Sequence, residues 1–319
     1  MSGTQHVEVV TFGESMALMT PVNTKGIEYS GEFTKSFGGA ESNFAIAVSR
    51  LGHRSGWFGR LGKDPLGRSI LKAIRGEGVD VAKAELTDEA ATGFMLRETV
   101  AGQTSVYYYR RGSAASQMGP EHIDEAYIKQ AHILHITGIT CAISETARGA
   151  VYEAVRAARK HGVKISFDPN LRLKLWSLRE ARKVLLPLAE QADYFLPGLD
   201  ELKLLYETDD AAEIVSRLKE LQAVSIVKGG NNETLLVDKD GVTAIPYVKA
   251  ERVVDPVGAG DAFCAGFIAG LLKGYSHAEA VHLGNLIGAL AVQAEGDWEG
   301  LPTWERVQAI WNNDAHIER

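Results

Sequence analysis

Four short apolar runs recur through the middle of this chain: "AHILHITG" (131–138), "VKISFDPN" (163–170), "ADYFLPG" (192–198) and "AVSIVKGG" (223–230). A fifth, "HVEVVTF" at 6–12, stops at Gly13. Each is short and rich in β-branched or aromatic residues, which predicts a strand. Helical spacing follows over Ser144–His161, Leu178–Leu188 and Leu199–Tyr206, and over Ala211–Leu221 ahead of the last run. Parallel strands need long crossover connections, and a sheet covered on both faces shows unbroken apolar strands. The alternation therefore predicts an α/β fold with a mostly parallel sheet and helices on both sides. Ligands of such open sheets bind beyond the carboxyl ends of the strands. Asp168–Asn170, Gly198–Glu201 and Gly229–Asn231 follow strands in this way and are the first places to look for a site.

Two stretches break the rhythm. Residues 15–37 show little helical pattern, and "TGFMLRETVAGQTSVYYYRR" (92–111) alternates like a hairpin around Ala101-Gly102. A small β subdomain drawn from about 15–37 and 92–112 accounts for both, and a cover of this kind shields a reaction from water. The rest of 1–319 reads as one domain, closed by a last helix at Thr303–Trp311. Acidic and basic residues are interspersed at a net charge of −7, which argues against a nucleic-acid stripe or a basic membrane patch. No apolar stretch approaches a membrane span, and the start lacks the basic and apolar regions of a signal peptide, so a cytoplasmic protein is expected. Cys141 and Cys264 lie far apart in apolar surroundings and read as reduced packing residues.

"DPVGAGDAFCAGF" (255–267) carries the chemistry. Gly258, Ala259 and Gly260 leave backbone N–H groups uncovered, and Asp261 is expected to begin an apolar-faced helix whose dipole favours an anion there. The Gly-Lys-Ser/Thr ending of a Walker A loop is missing, and so is the dinucleotide fingerprint. A carboxylate beside an anion site makes sense if the anion is a transferring phosphoryl group and the attacker a neutral alcohol. The carboxylate takes the hydroxyl proton while the amides hold the phosphoryl oxygens. The plainer alternative is that Asp261 only caps the helix.

This stretch resembles the C-terminal signature of the ribokinase-like (PfkB) carbohydrate kinases, and "FGGAESNFAIAVSRLG" (37–52) resembles their N-terminal one. The resemblance covers essentially the whole chain. It implies a three-layer α/β/α sandwich with a small β-sheet lid, and Mg-ATP-dependent phosphorylation of a sugar hydroxyl. It further implies Asp261 as base and the Gly258–Gly260 backbone as anion hole. Gly38, Gly39, Asn43 and Ile139 would touch the sugar. Lys228, Gly229, Gly230 and Asn231, with Gly258 and Gly260, would hold the nucleotide, with Asn285 near its base. "LPGLDEL" stands where relatives read N-x-x-E, leaving Glu201 to orient Mg²⁺ through water, and Glu233 stands where a glycine is usual. A monovalent cation is a further cofactor the resemblance leaves open.

Two segments point to an acidic sugar. Tyr108 and Arg110 share one face of a strand, and Arg172 follows a strand in "FDPNLRLKLW". Arginine binds carboxylates through charge-assisted, often bidentate bonds. Both segments resemble 2-keto-3-deoxygluconate kinases, which implies that Tyr108, Arg110, Asn170 and Arg172 hold the substrate carboxylate and hydroxyls, for transfer to the 6-hydroxyl. Met95 stands where that resemblance predicts a tyrosine. Ribokinase- or fructokinase-like activity on a neutral sugar is the alternative, and a sugar-binding regulator without turnover a more distant one. Asp255 is expected to hold its turn or a bound cation rather than to act in catalysis. Asp168 and Glu14 stay open between contact and turn roles, and His132, His135 and His161 receive no role. Exposed lid strands predict a homo-oligomer.

Overall fold

The computed structural model describes residues 7–229 and 232–311. Its larger sheet has eight strands, in the order Gly241–Pro246, Glu233–Asp238, Val224–Val227, Tyr194–Phe195, Lys164–Asp168, Ile133–Thr137, Val9–Phe12 and Ser55–Phe58. The six from Val224–Val227 onward are parallel, and the first two run antiparallel as a hairpin at one edge. The five predicted runs all form strands of this sheet, trimmed at their ends. The first begins at Val9 rather than residue 6, which lies outside the described residues.

Side chains alternate across the strands into two separate cores. Val10, Leu134 and Val227 pack with Ala150, Ala154 and Val184 on one face. Their neighbours Val9, Ile133 and Ile226 pack with Phe44, Ala265 and Ile287 on the other. The result is helix, sheet, helix. Predicted helices appear at Glu145–His161, Leu178–Gln191, Leu199–Tyr206, Ala211–Glu220 and Trp304–Trp311. The second outruns its prediction by three residues, running on past Pro187 to Gln191 from a start capped by Ser177 and Glu180. No helix among the described residues is long and apolar enough to cross a membrane.

A second sheet has four strands in the order Phe33–Gly38, Met16–Pro21, Phe94–Val100 and Gln103–Tyr109. Ala101 and Gly102 turn its hairpin with φ of 50° and 78°, the left-handed pair that matches the strand twist. Its inner side carries Met16, Leu18 and Met95, backed by Val106.

The "GAGDAFCAGF" stretch departs from expectation. The helix is Ala259–Leu272, Gly258 occupies the N-cap with φ 78°, and Asp261 is the third helical residue rather than the first. Only glycine takes that cap conformation without cost, so the helix starts early. Nor is the helix merely apolar-faced: Ala262 to Gly270 are all buried. It packs so tightly on helix His277–Ala291 that a Cβ on Gly266 would meet Ile287 Cγ1 at 2.8 Å and Gly284 Cα at 2.9 Å.

Gly266→Ala should therefore lower stability by about 1–3 kcal/mol through overpacking, against a helix-propensity gain of about 1 kcal/mol. Gly76→Ala, in open space at the end of helix Pro65–Gly76, should instead be neutral or stabilising by up to about 1 kcal/mol. Urea unfolding of both variants checks the contrast, and equal effects would contradict the close approach.

Candidate active site

The inner side of the small sheet faces the carboxyl ends of the main strands across a cleft of about 340 Å³. Gly38, Gly39, Asn43, Met95, Tyr108, Arg110, Ile139, Asn170, Arg172, Gly258, Gly260 and Asp261 all line it. Residues from five distant stretches of sequence thus meet at one place. A second, more apolar cleft of about 440 Å³ adjoins it, walled by Tyr247, Val253, Phe263, Asn285, Ala289 and Val292. Lys228, Ala259 and Gly260 also belong to this second cleft, so the start of helix Ala259–Leu272 stands between the two.

At that helix start, Ala262 donates to Gly258 O at 2.9 Å and Ala259 reaches Pro256 O at 3.4 Å. Ala259 is thus partly spent within the stretch predicted as an anion hole. Among the described residues, the N–H groups of Gly260 and Asp261 donate to no carbonyl outside the helix, as expected for its first turn. Asp261 makes no capping bond, which removes the helix-cap alternative. Its Oδ2 accepts from Asn43 Nδ2 at 2.9 Å. Burial pushes the Asp261 carboxyl up to about 7; Asp168 and Glu41 add to the rise, while Asn43 and Arg172 oppose it.

The two arginines differ. Arg110 forms a buried ion pair with Glu14 at 2.5 Å, and Glu14 also accepts from Ser113 Oγ at 2.6 Å. Glu14 is therefore a partner of Arg110 rather than a free contact. Arg172 is exposed and makes no ion pair among the described residues. Asn170 holds φ 40°, and its Oδ1, like Asn43 Oδ1, is buried without a partner. Such orphaned acceptors ask for a donor from outside the protein. Met95 is buried and closes the cleft beside Gly38.

Around the second cleft several polar groups already have partners within the protein. Asn285 does wall the second cleft, but its amide is committed: Oδ1 accepts from Thr234 at 2.8 Å and Nδ2 donates to Pro246 O at 3.1 Å. It anchors the edge hairpin to its helix. Glu201 is committed too, accepting from Leu171 N at 2.6 Å and Gly198 N at 2.7 Å. Burial pushes its pKa up and Asp168 adds to the rise, while Lys228 opposes it. Lys228 Nζ lies 3.2 Å from Asp168 Oδ2 and 3.7 Å from Cys264 Sγ. Burial disfavours that ammonium, yet Asp168, Cys264 and Glu201 more than compensate and its pKa is raised. Gly229 adjoins this group, with φ 90° and its N–H given to Tyr247 Oη at 2.6 Å. Gly230 and Asn231 lie outside the described residues. Among the described residues no three His, Cys, Asp or Glu side chains gather around a metal position.

Both cysteines are buried and free, as expected. His135 is sealed against Phe44, with ring centroids 3.8 Å apart, and burial lowers its pKa to about 3, so its ring is neutral at neutral pH. Three site residues carried no signal in the sequence. Glu41 is fully enclosed and accepts from Thr137 and Thr140 at 2.5 Å each; burial pushes its pKa up. Arg97 and Asp297 face each other across the mouth of the first cleft. Glu41 lies inside the 37–52 signature but received no role from it, and Arg97 and Asp297 belong to no spaced motif.

The raised Asp261 pKa has a consequence for stability. In the unfolded chain the carboxyl ionises near its ordinary value of 3.8, whereas in the fold it stays protonated to about 7. The fold thus loses stability as pH rises across that window, and the penalty saturates above it. Asp261→Asn removes the penalty. Its gain in Tm over the parent should be small at pH 4, grow up to pH 7 and level off beyond. Calorimetry across that range checks this, and a pH-independent difference would contradict it.

Comparison with known proteins agrees with this geometry. The model of the pfkB family carbohydrate kinases matches residues 7–304. A 2-dehydro-3-deoxygluconokinase of Bacillus subtilis (strain 168) is 39% identical over 95% of this chain and 95% of its own. The crystal structure of a PfkB protein from Polaromonas sp. JS666 superposes with a TM-score of 0.87 at 37% identity, covering 95% of this chain and 99% of that one. Aminoimidazole riboside kinase from Salmonella enterica, complexed with aminoimidazole riboside and an ATP analog, gives a TM-score of 0.82 at 26% identity over 95% and 99%. With a family match spanning both clefts and the helix between them, the chain belongs to the pfkB family carbohydrate kinases and has their ribokinase-like fold.

Proposed function

We propose that this chain transfers the γ-phosphoryl group of ATP to the 6-hydroxyl of 2-keto-3-deoxygluconate. The observation that carries the reading is the Asp261 carboxyl, lining the first cleft at the open helix start that divides it from the second. The sugar occupies the first cleft and the nucleotide the second. Asp261 accepts the hydroxyl proton, the freed oxygen attacks the γ-phosphorus, and the bond to the β-phosphate oxygen breaks to release ADP. Developing negative charge falls against the Gly258–Asp261 backbone at the positive end of the helix. A group titrating at about 7 is well matched to this task near neutral pH.

Arg172 is the carboxylate receptor in this reading, since its guanidinium has no acidic partner among the described residues. Tyr108, Asn170 and Asn43 offer groups for hydroxyls, with Gly38, Gly39 and Ile139 shaping the wall. Arg110 orients Tyr108, standing 5.9 Å from its ring, while its charge serves Glu14. Lys228 and Gly229 take the phosphate path beside Gly258 and Gly260. The second cleft takes the base, with Asn285 as wall. The donor set fits a Mg²⁺ that keeps most of its water. Asp168 is paired with Lys228 and Glu201 with two amides, so these two carboxylates would hold the ion through water rather than directly. When bound, the ion neutralises phosphate charge. The small sheet acts as the lid, and its outer tyrosines, Tyr107 and Tyr109, support a homo-oligomer through that face.

A neutral-sugar kinase is the second reading, favoured by the Arg110–Glu14 pair, which leaves Arg172 as the acid's main receptor. ADP release with Mg-ATP on 2-keto-3-deoxygluconate, ribose and fructose separates the two. The acid should be preferred, and Arg172→Ala should reduce kcat/KM for the acid by about 10- to 100-fold while changing a neutral analogue little. Equal losses on both would return Arg172 to a structural role. For the base, kcat/KM should rise with pH and level off above about 7. Asp261→Asn should cut kcat by roughly 10²–10⁴-fold and leave sugar binding by calorimetry largely intact. Near-normal turnover of that variant would remove Asp261 as the base.

A further inference from the structure

Strand Phe94–Val100 presents Arg97 on the same inner side as Met95. Arg97 Nη1 lies 3.0 Å from Asp255 Oδ2 and 3.4 Å from Asp297 Oδ1, and all three side chains are at most 15% exposed. The two acids come from different loops of the larger body. Asp255 Oδ1 accepts from Val257 N at 3.1 Å, and Asp255 Oδ2 accepts from Gly296 N at 3.2 Å. The carbonyl of Asp297 presses on Gly258, where a Cβ would come within 2.1 Å, and its Oδ2 presses on Gly38, where one would come within 1.9 Å. The loop entering helix Ala259–Leu272, the loop at 296–297 and the end of strand Phe33–Gly38 therefore converge on one guanidinium.

Two buried carboxylates facing each other repel unless a cation stands between them. Burial pushes Asp297 up to about 7; Arg97 works against that rise, and Glu299 and Asp255 work with it. The cation comes from the small sheet, not from the body that holds the acids. Undocking the sheet would leave Asp255 and Asp297 uncompensated at the moment the helix entry loses its support.

We propose that Arg97 is a positioning residue that couples docking of the small sheet over the cleft to the shape of the Gly258–Asp261 helix entry. Closure over the sugar and assembly of the phosphoryl-binding amides are then one event, driven by one ion-pair network. This deepens the kinase reading and rests on it. It acts through Asp255 and Asp297, which support Gly258, and not through contact with the reacting atoms.

The test uses the full chain with Arg97→Ala, Arg97→Lys, Asp255→Asn and the double variant Arg97→Ala/Asp255→Asn. Sugar-dependent ADP release by the parent comes first; its absence would defeat the kinase reading, while hydrogen exchange, which needs no activity, still judges the coupling. In Arg97→Ala, amides of both 94–100 and 255–261 should exchange at least ~10-fold faster, because docking protects both. Its kcat should fall roughly 10- to 100-fold, the scale of a small misplacement at a reacting centre, with a rise in sugar KM. Arg97→Lys should recover part of that loss, and the double variant should fall within about 2-fold of Arg97→Ala, since the pair works as one unit. Faster exchange in one segment only, multiplicative losses in the double variant, or parental kcat and KM in Arg97→Ala would each overturn the proposal. Should Arg97→Ala not fold, Arg97→Lys and Asp255→Asn carry the same exchange comparison.

Discussion

Helix Ala259–Leu272 is buried on every side from Ala262 to Gly270, and its first turn opens into two clefts at once. Both properties come from the same small residues. Gly266 lets the helix lie against His277–Ala291 at a distance no side chain would allow, and Gly258 lets the chain enter the helix in a left-handed conformation while pressed on the Asp297 carbonyl. Burial holds the body of the helix in place, while the shape of its entry at Gly258 depends on the Asp297 carbonyl pressed against it. Donors held in this way act strongly on developing charge.

That rigidity carries a cost in electrostatics. Asp261 sits where burial opposes its ionisation, and the penalty is offset only in part by Asn43 and Arg172. Around it Asp168 pairs with Lys228 and Glu14 with Arg110, while Asp255 and Asp297 share the one guanidinium of Arg97. Glu41 and Glu201 are satisfied by hydroxyls and backbone amides. Among the described residues the first cleft thus keeps Arg172, which makes no ion pair, and two carboxyls that burial pushes up to about 7, Asp261 and Asp297. A sugar bearing a carboxylate at one end and an alcohol at the other matches that residue of charge.

Much of the fold was legible before the structure. The five apolar runs became five strands because continuous burial on both faces leaves a simple signature, and Ala101-Gly102 turned as read because left-handed turns admit few residue types. The start of the Asp261 helix was misjudged by two residues, since capping there comes from Gly258 and not from the carboxylate. Asn285 and Arg110 lie where the family resemblance implied, but with their polar groups already taken. Arg97 and Asp297 were not legible at all.

The division has one physical basis. Periodicity, turn chemistry and the Gly-Ala-Gly-Asp stretch depend on neighbours along the chain, so the sequence by itself determined the α/β alternation, the parallel sheet and the glycine-led entry to the helix that carries Asp261. Which charges remain free depends on distances between residues far apart in sequence. Asn43 meets Asp261 across 218 positions and Arg97 meets Asp297 across 200. Only the tertiary structure decided that Arg110 is neutralised while Arg172 is not, and that Asp261 titrates near 7. Coulomb and burial energies are set by ångströms in space, and a linear sequence does not contain them.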